Sequence, residues 1–148
     1  SSGAMTARDV EGIVDVNNRA FAGHREQGSM TVDGFGSLMS LGWFDPTAVH
    51  VARSGERVVG FCVMKHEEPA IGEVYVLAVD PDLAGSGLGR ALVQSGLANL
   101  TDRGAVTAQA WVDAANDAAV GLYRSMGLVE DFRTRELLPS AGREPGAR

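Results

Sequence analysis

Three glycines at alternate positions, Gly85, Gly87 and Gly89, form the stretch whose residue types are best suited to holding a ligand. They follow a strand-like run that ends at Asp80-Pro81, and they precede leucines and alanines at helical spacing. Glycine lacks a Cβ, so backbone N–H groups can converge on an anion, and the N-terminus of a following helix adds its unpaired amides. The pattern predicts a pyrophosphate-binding loop over residues 84–90.

Two common nucleotide-binding motifs can be compared with this loop. A P-loop ends in Gly-Lys-Ser or Gly-Lys-Thr, whereas this loop ends in Gly89-Arg90-Ala91, which excludes a nucleoside triphosphatase site of that kind. A dinucleotide-binding turn needs an acidic residue about 20 positions later, at the end of a second strand. Asp102 and Asp113 lie in that neighbourhood, but neither closes a parallel strand in the required place.

The elements that must position this loop alternate between helix and strand patterns. Helices are predicted over residues 10–21, 31–43, 87–102 and 116–126, and strands over residues 48–53, 58–65, 72–80, 106–112 and 128–138. Ser54-Gly55-Glu56-Arg57 is typical of a hairpin turn. This order predicts an α/β (α+β) fold, a mixed central sheet with helices on both faces.

Length and composition indicate one globular domain. The chain has 148 residues, of which 45% are apolar and 22% charged, enough for a single core. We expect residues 1–5 to be an expression scar, residues 6–138 to form the one domain and residues 139–148 to be a disordered tail. The first strand would then have to form between Met5 and Arg8.

Several classes of function are disfavoured by the same data. The net charge of −6 argues against a broad nucleic-acid surface. No run approaches the roughly 18 apolar residues of a membrane span and no secretory signal is seen, so a cytoplasmic location is expected. Cys62 is the one cysteine and is predicted to be a core thiol, while the three histidines are too dispersed for a metal site.

Two separated motifs resemble the acetyl-CoA signature of the GNAT superfamily of N-acetyltransferases. The first joins Val79-Asp80-Pro81 to the loop from Ala84 to Gly89, and the second runs from Asn116 to Leu128. The likeness extends from about residue 9 to residue 138. Within the superfamily, residues 17–28 together with Gly72-Glu73-Val-Tyr-Val are similar to the C-terminal, acetyl-transferring half of the mycothiol synthases.

This resemblance implies both a fold and an acyl donor. The GNAT sheet has about six or seven strands, and the strand equivalent to residues 72–80 carries a bulge and splays from the strand at residues 106–112. The pantetheine arm of acetyl-CoA enters that gap and pairs with the strand's main chain. The residues implied in binding acetyl-CoA are Leu77, Ala78, Val79, Ala84, Gly85, Ser86, Gly87, Leu88, Gly89, Arg90 and Asn116.

Two side chains are suited to the chemistry of acetyl transfer. An attacking amine must lose a proton, and the departing CoA thiolate gains one. The resemblance implies that Glu73 is the base, usually acting through water, and that Tyr123 is the acid. The alternatives are a solvated carboxylate opposite Lys65 and a tyrosine that belongs to the core. Asn116 has a second reading as the cap of its own helix.

For the acceptor, the resemblance points to Glu26, Lys65 and Trp111, which match positions where mycothiol synthases contact a cysteinyl-glucosaminyl-inositol amine. Surface charge and a core indole are the competing readings. Mycothiol synthases resemble two tandem copies of this fold, so a second GNAT domain or a homo-oligomer is an expected partner of this one.

The sequence departs from the GNAT pattern at two positions. Ala84 stands where Gln or Arg is usual, a loss that Arg90 or Arg124 could partly offset, and Leu128 replaces a Phe. The function expected is acetyl transfer to the primary amine of a small molecule. Protein N-terminal acetylation is an alternative that the loop from His24 to Ser29 would distinguish. A non-catalytic acetyl-CoA-binding module is disfavoured, because it needs neither Glu73 nor Tyr123.

Overall fold

The computed structural model describes residues 2–23, 27–112, 116–131 and 134–137, which form one seven-stranded mixed sheet with four helices. The strands lie in the order β1-β2-β3-β4-β5-β7-β6. The strands are β1 Ser2–Ala4, β2 Val49–Ser54, β3 Arg57–Glu68, β4 Ile71–Val79, β5 Thr107–Trp111, β6 Leu128–Asp131 and β7 Thr134–Leu137. The helices are α1 Val10–Ala20, α2 Val32–Met39, α3 Leu88–Asp102 and α4 Asp117–Ser125. The predicted fold class is confirmed.

The helices cover both faces of the sheet and give each face its own core. Ile13 of α1 and Phe35 of α2 pack with Phe61 of β3, and all three are fully buried. On the opposite face Leu92 of α3 packs with Cys62, whose thiol is fully buried as predicted. Alternate residues of β3 therefore feed two different cores, as expected for a strand at the centre of a three-layer fold.

The predicted elements were wrong at the two ends of the sheet. Residues 5–8 form no strand, because the chain turns there: Asp9 accepts hydrogen bonds from the N–H and the hydroxyl of Thr6. Strand β1 lies earlier and pairs antiparallel with β2. The single strand predicted over residues 128–138 is a hairpin, in which Asp131 of β6 faces Thr134 of β7. The expectation that residues 1–5 are an expression scar is not tested by this pairing and stays a prediction. The predicted tail at residues 139–148 lies outside the described residues.

The middle of β4 is irregular in the way that the family resemblance implied. Val76 faces Val63 and Val74 faces Met64, so Tyr75 is an extra residue on β4, which is the definition of a β-bulge. The parallel pairing of β4 with β5 runs only from Ile71 to Val74. Beyond this point β4 has no pairing with β5 among the described residues. The predicted bulge is confirmed, and the β4–β5 pairing ends where the predicted splay would begin.

Helix α3 packs closely on the sheet through two glycines, Gly96 on the helix and Gly72 on β4. A Cβ on Gly96 would stand 2.6 Å from the Met64 sulfur, and one on Gly72 would stand 2.3 Å from Leu100. Both distances are shorter than real Cβ atoms tolerate, so larger residues there would push the helix outward. This close approach holds the second half of α3 against β3 and β4.

None of the helices in the described part of the chain is long and apolar enough to cross a membrane.

Candidate active site

The glycine loop between β4 and α3 has the conformation that an anion site requires. Gly85 and Gly87 have φ angles of 79° and 88°, in the left-handed region that favours glycine. Gly87 is the N-cap of α3 and provides no side-chain cap, so the N–H groups of the first turn have no intrahelical partner. They are available to a phosphate, and the pyrophosphate-binding role of residues 84–90 stays a prediction. A cavity of about 470 Å³ adjoins the loop at Ser86 and Leu88.

A buried carboxylate anchors the start of this loop. Asp80 is 1% exposed and accepts hydrogen bonds from Arg19 of α1 at 2.7 Å and from Arg57 of β3 at 2.6 Å. It also accepts one from the Asp82 N–H at 2.9 Å. This backbone bond and the two guanidinium groups lower the pKa of Asp80. The sequence analysis gave Asp80 no such role, because its arginine partners lie 61 and 23 residues away.

The splay leaves main-chain groups of β4 unpaired on the side of β5. The N–H of Asp80 bonds to the Val59 carbonyl of β3, so by strand alternation Ala78 also directs its N–H and C=O toward β3. Leu77 and Val79 then direct theirs toward the gap. Of the three residues predicted to offer main-chain groups to the donor, the geometry favours these two over Ala78.

Tyr123 lies on α4 and packs in the core that the end of β4 also contacts. Its side chain is 4% exposed and belongs to the same core as Cys62, Leu77 and Val79. Burial raises the pKa of Tyr123, so the phenol holds its proton at neutral pH. Burial likewise raises the pKa of the Cys62 thiol to about 12. Among the described residues, none forms a hydrogen bond with the Tyr123 hydroxyl.

Helix α4 is fixed by a cap at its start and a bridge near its end. The Asn116 side chain accepts a hydrogen bond from the Ala119 N–H at 3.1 Å, which supports the capping role. Arg90 of α3 donates to the Ser125 hydroxyl at 2.8 Å. The guanidinium of Arg90 is thus directed at α4 rather than at the glycine loop, where it was expected to offset Ala84.

Glu73 stands in a row of polar side chains that crosses three strands. It faces Lys65 on β3 and Gln109 on β5. Glu73 is half-buried and lies opposite Lys65, so both its catalytic role and the alternative of a solvated carboxylate stay predictions. Desolvation raises the pKa of Glu73, while the ammonium of Lys65 and the hydrogen bond from Gln109 oppose that rise.

A cavity of about 480 Å³ opens beside this row. It is lined by Lys65, Glu67, Glu68, Ile71, Glu73 and Gln109. Its polar walls and the half-buried carboxylate make it the candidate acceptor site.

The Lys65 ammonium is held by three neighbours. It ion-pairs with Glu67 at 3.1 Å and lies 5.1 Å and 5.7 Å from the ring centroids of Trp43 and Tyr75. The two rings are 4.9 Å apart. We call Trp43, Lys65 and Tyr75 the aromatic–lysine cluster. Neither Trp43 nor Tyr75 was predicted from the sequence to be a site residue. The one signal in the sequence was the position of Tyr75, two residues after Glu73.

The two candidate catalytic residues lie on opposite faces of the sheet. Val74 belongs to the core that contains Tyr123, so Glu73, the preceding residue, points to the other face. The gap between β4 and β5 connects these faces. An acyl group in that gap could therefore meet a base from one side and an acid from the other.

Two of the predicted acceptor residues cannot be assigned a place in this arrangement. Glu26 lies outside the described residues. Trp111 ends β5 and pairs with Thr134 of β7 rather than with β4, and its side chain also lies outside the described part. In the described ranges, no group of three or more His, Cys, Asp or Glu could hold a metal ion.

Comparison with known proteins gives a consistent picture. The model of the acetyltransferase (GNAT) family matches residues 12–128. The mycothiol acetyltransferase of Thermobispora bispora is 45% identical over 126 residues, covering 81% of this chain and 43% of that protein. The mycothiol acetyltransferase of Streptomyces coelicolor is 44% identical over 115 residues, covering 77% and 37%. The chain thus spans about two fifths of the length of the curated relatives it matches.

Solved structures share the fold at low sequence identity. The ribosomal-protein-S18-alanine N-acetyltransferase of Escherichia coli has a TM-score of 0.77 and 22% identity, covering 98% of this chain and 97% of that one. The PaiA N-acetyltransferase of Thermoplasma acidophilum, in complex with coenzyme A, has a TM-score of 0.73 and 16% identity, covering 92% and 95%.

Proposed function

The chain belongs to the GNAT acetyltransferase family, and we propose that it transfers an acetyl group from acetyl-CoA to the primary amine of a small molecule. The observation that carries this proposal is the gap between β4 and β5, bordered by Glu73 on one face and by Tyr123 on the other. A module that only binds acetyl-CoA would not need both groups.

The residues present fit acetyl-CoA. The unpaired first-turn N–H groups of α3 and the left-handed Gly85 and Gly87 suit a pyrophosphate, and the open edge at Leu77 and Val79 suits the amides of a pantetheine arm. When bound, acetyl-CoA supplies an activated acetyl thioester. These residues would hold it without help from a metal.

Glu73 is proposed to take the proton from the acceptor amine. A neutral amine is the nucleophile, and a carboxylate whose pKa is raised by burial is a stronger base than an exposed one. Gln109 lies opposite the carboxylate on β5, and the ammonium of Lys65 opposes the rise of the Glu73 pKa.

Tyr123 is proposed to give its proton to the sulfur of the departing thiolate. Its buried phenol is protonated at neutral pH, and no described residue forms a hydrogen bond with its hydroxyl, so the proton is not committed elsewhere. The Tyr123 phenolate then regains a proton from solvent, and Glu73 releases to solvent the proton that it took from the amine.

The acceptor is proposed to be a small, polar amine of the kind that mycothiol acetyltransferases use, such as the cysteinyl-glucosaminyl-inositol. The cavity beside Glu73 combines an ammonium, carboxylates and an amide, which suits a molecule with several hydroxyls. Protein N-terminal acetylation remains the second candidate, since the loop from His24 to Ser29 that would distinguish a closed cleft from a peptide groove lies partly outside the described residues, which resume at Gln27. We propose a cytoplasmic protein that works with a second GNAT domain or a second copy.

The test is an assay of CoA release from acetyl-CoA against three sets of acceptors: simple amines, the cysteinyl-glucosaminyl-inositol and short peptides with free N-termini. We expect the glycosylated cysteine to give the highest kcat/KM. Turnover confined to peptides would favour the second candidate, and tight acetyl-CoA binding without turnover of any acceptor would indicate a binding module.

A further inference from the structure

We infer that Trp43 is a positioning residue for proton removal by Glu73. It lies in the segment after α2, and it acts by holding the ammonium of Lys65 beside the Glu73 carboxylate. The inference rests on the proposed function for the role of Glu73 in turnover. The effect of the Lys65 ammonium on the pKa of Glu73 does not depend on the proposed function.

Lys65 is placed to act on Glu73, but its ion pair is with another residue. It is the residue of β3 directly opposite Glu73, yet its ion pair is with Glu67, two residues further along the same strand. The Glu67 side chain is 57% exposed, so this ion pair alone would draw the flexible lysine toward solvent. Something on the inner side must hold the ammonium near Glu73.

The two aromatic rings supply that inner contact. A lysine ammonium is attracted to the electron-rich face of an aromatic ring within about 6 Å of the centroid, and both rings meet this condition. Tyr75 is 41% exposed. Among the described residues, the ring that packs on it belongs to Trp43. Trp43 is itself partly buried against the core of α1 and α2. Trp43 thus steadies both Lys65 and the second ring.

The consequence is electrostatic. Among the described residues, the charged or titratable groups that face Glu73 are Lys65, Glu67, Glu68 and Tyr75. Lys65 is the only cation in this set. Suppose that the Lys65 ammonium moved outward toward solvent while staying paired with Glu67. The nearby carboxylates would still raise the pKa of Glu73, but the ammonium would lower it less. Glu73 would then hold its proton to higher pH.

The experiment compares Trp43→Leu with Trp43→Phe, which keeps a ring. The first readout is the pKa of the Glu73 carboxyl, measured by ¹³C NMR in the unliganded protein. The second is kcat/KM as a function of pH. For Trp43→Leu we expect a higher Glu73 pKa and an acidic limb moved to higher pH. At pH values on the acidic limb, kcat/KM should fall by about three- to tenfold, and at pH values above the limb it should change little. Trp43→Phe should retain most of the parent profile.

The substitution Lys65→Met tests the same change in the Glu73 pKa in a second way. Removing the ammonium itself should raise the Glu73 pKa at least as much as Trp43→Leu, and the double variant should show no further rise, since both changes act through one group. Leu41→Ala is the matched control, because Leu41 lies two residues before Trp43 and is 45% exposed. It should leave both readouts unchanged.

The outcomes separate this inference from the proposed function. An unchanged Glu73 pKa in folded Trp43→Leu, or additive rises in the double variant, would overturn the role of Trp43 whether or not the protein is active. Absence of acetyl transfer by the parent would overturn the proposed function, while the NMR measurement would still decide whether Trp43 controls Glu73.

Discussion

Val74 of β4 and Ala110 of β5 are the last residues at which these two parallel strands face one another. The bulge at Tyr75 follows immediately, and from there β4 continues alone on that edge. The extra residue thus coincides with the end of the pairing between the two parallel strands. Glu73 precedes this point, so the bulge lies next to the proposed base.

Replacing Glu73 with Gln should remove the base and leave the donor site unchanged. The substitution keeps the size of the side chain and its capacity to bond with Gln109. We expect acetyl-CoA affinity, measured by calorimetry, to be preserved and turnover at neutral pH to fall by roughly 10²-fold or more. Glu56→Gln, at the exposed tip of the β2–β3 hairpin, is the control. If only the acceptor KM rose, Glu73 would be a binding residue and not the base.

The pH dependence of the parent should report the same carboxylate. Glu73 must be ionised to accept a proton, and burial raises its pKa above the ordinary value of 4.5. Activity should therefore be lost as the pH falls through this raised pKa, at higher pH than for an exposed glutamate. A profile of kcat/KM against pH checks this. The acidic limb should disappear in Glu73→Gln, and its persistence there would assign it to another group.

Tyr123→Phe should separate chemistry from stability. The ring stays packed, and the lost hydroxyl leaves no described hydrogen-bonding partner unsatisfied, so the melting temperature should change little. Turnover should fall by about 10- to 10³-fold, the range for a lost general acid. A Phe variant with full activity would make Tyr123 a core residue only.

Gly87→Val should weaken the binding of CoA beyond any effect on stability. Gly87 has a φ of 88° and open space around it, so valine adds backbone strain and a side chain at the anion site. Gly104 is a matched control, with a φ of 102° and equally open surroundings after the end of α3. Both valine variants should lower the melting temperature, and only Gly87→Val should reduce CoA affinity in calorimetric titration. Equal affinities would remove the loop from the donor site.

Asp80→Asn should destabilise the fold in a pH-dependent manner. The pKa of Asp80 is lowered in the folded protein, so its ionisation contributes stability above the ordinary unfolded value near 3.9, and this contribution is lost as the pH falls through the lowered pKa. Melting temperatures of parent and variant should differ at pH 7 and converge in acid. A difference that stayed constant with pH would point to packing and not to charge.

Local features of this chain were visible in the sequence, and long-range ones were not. The glycine loop and α3 follow from spacing over a few residues, since helix periodicity and glycine conformations are local properties. The two arginines on Asp80 and the contact of Trp43 with Tyr75 join residues that only the folded sheet brings together. The hairpin of β6 and β7 was missed because no Gly, Pro or Asn interrupts the alternating pattern between Asp131 and Thr134.

The open edge of β4 has a consequence for hydrogen exchange. An interior strand normally has all its amides protected, but the N–H groups of Leu77 and Val79 face the gap, while that of Ala78 faces β3. In the unliganded protein the amide protons of residues 77 and 79 should exchange with deuterium faster than that of residue 78. Saturation with CoA should remove this alternation, so three consecutive amides can report occupancy of the donor site without any acceptor being known.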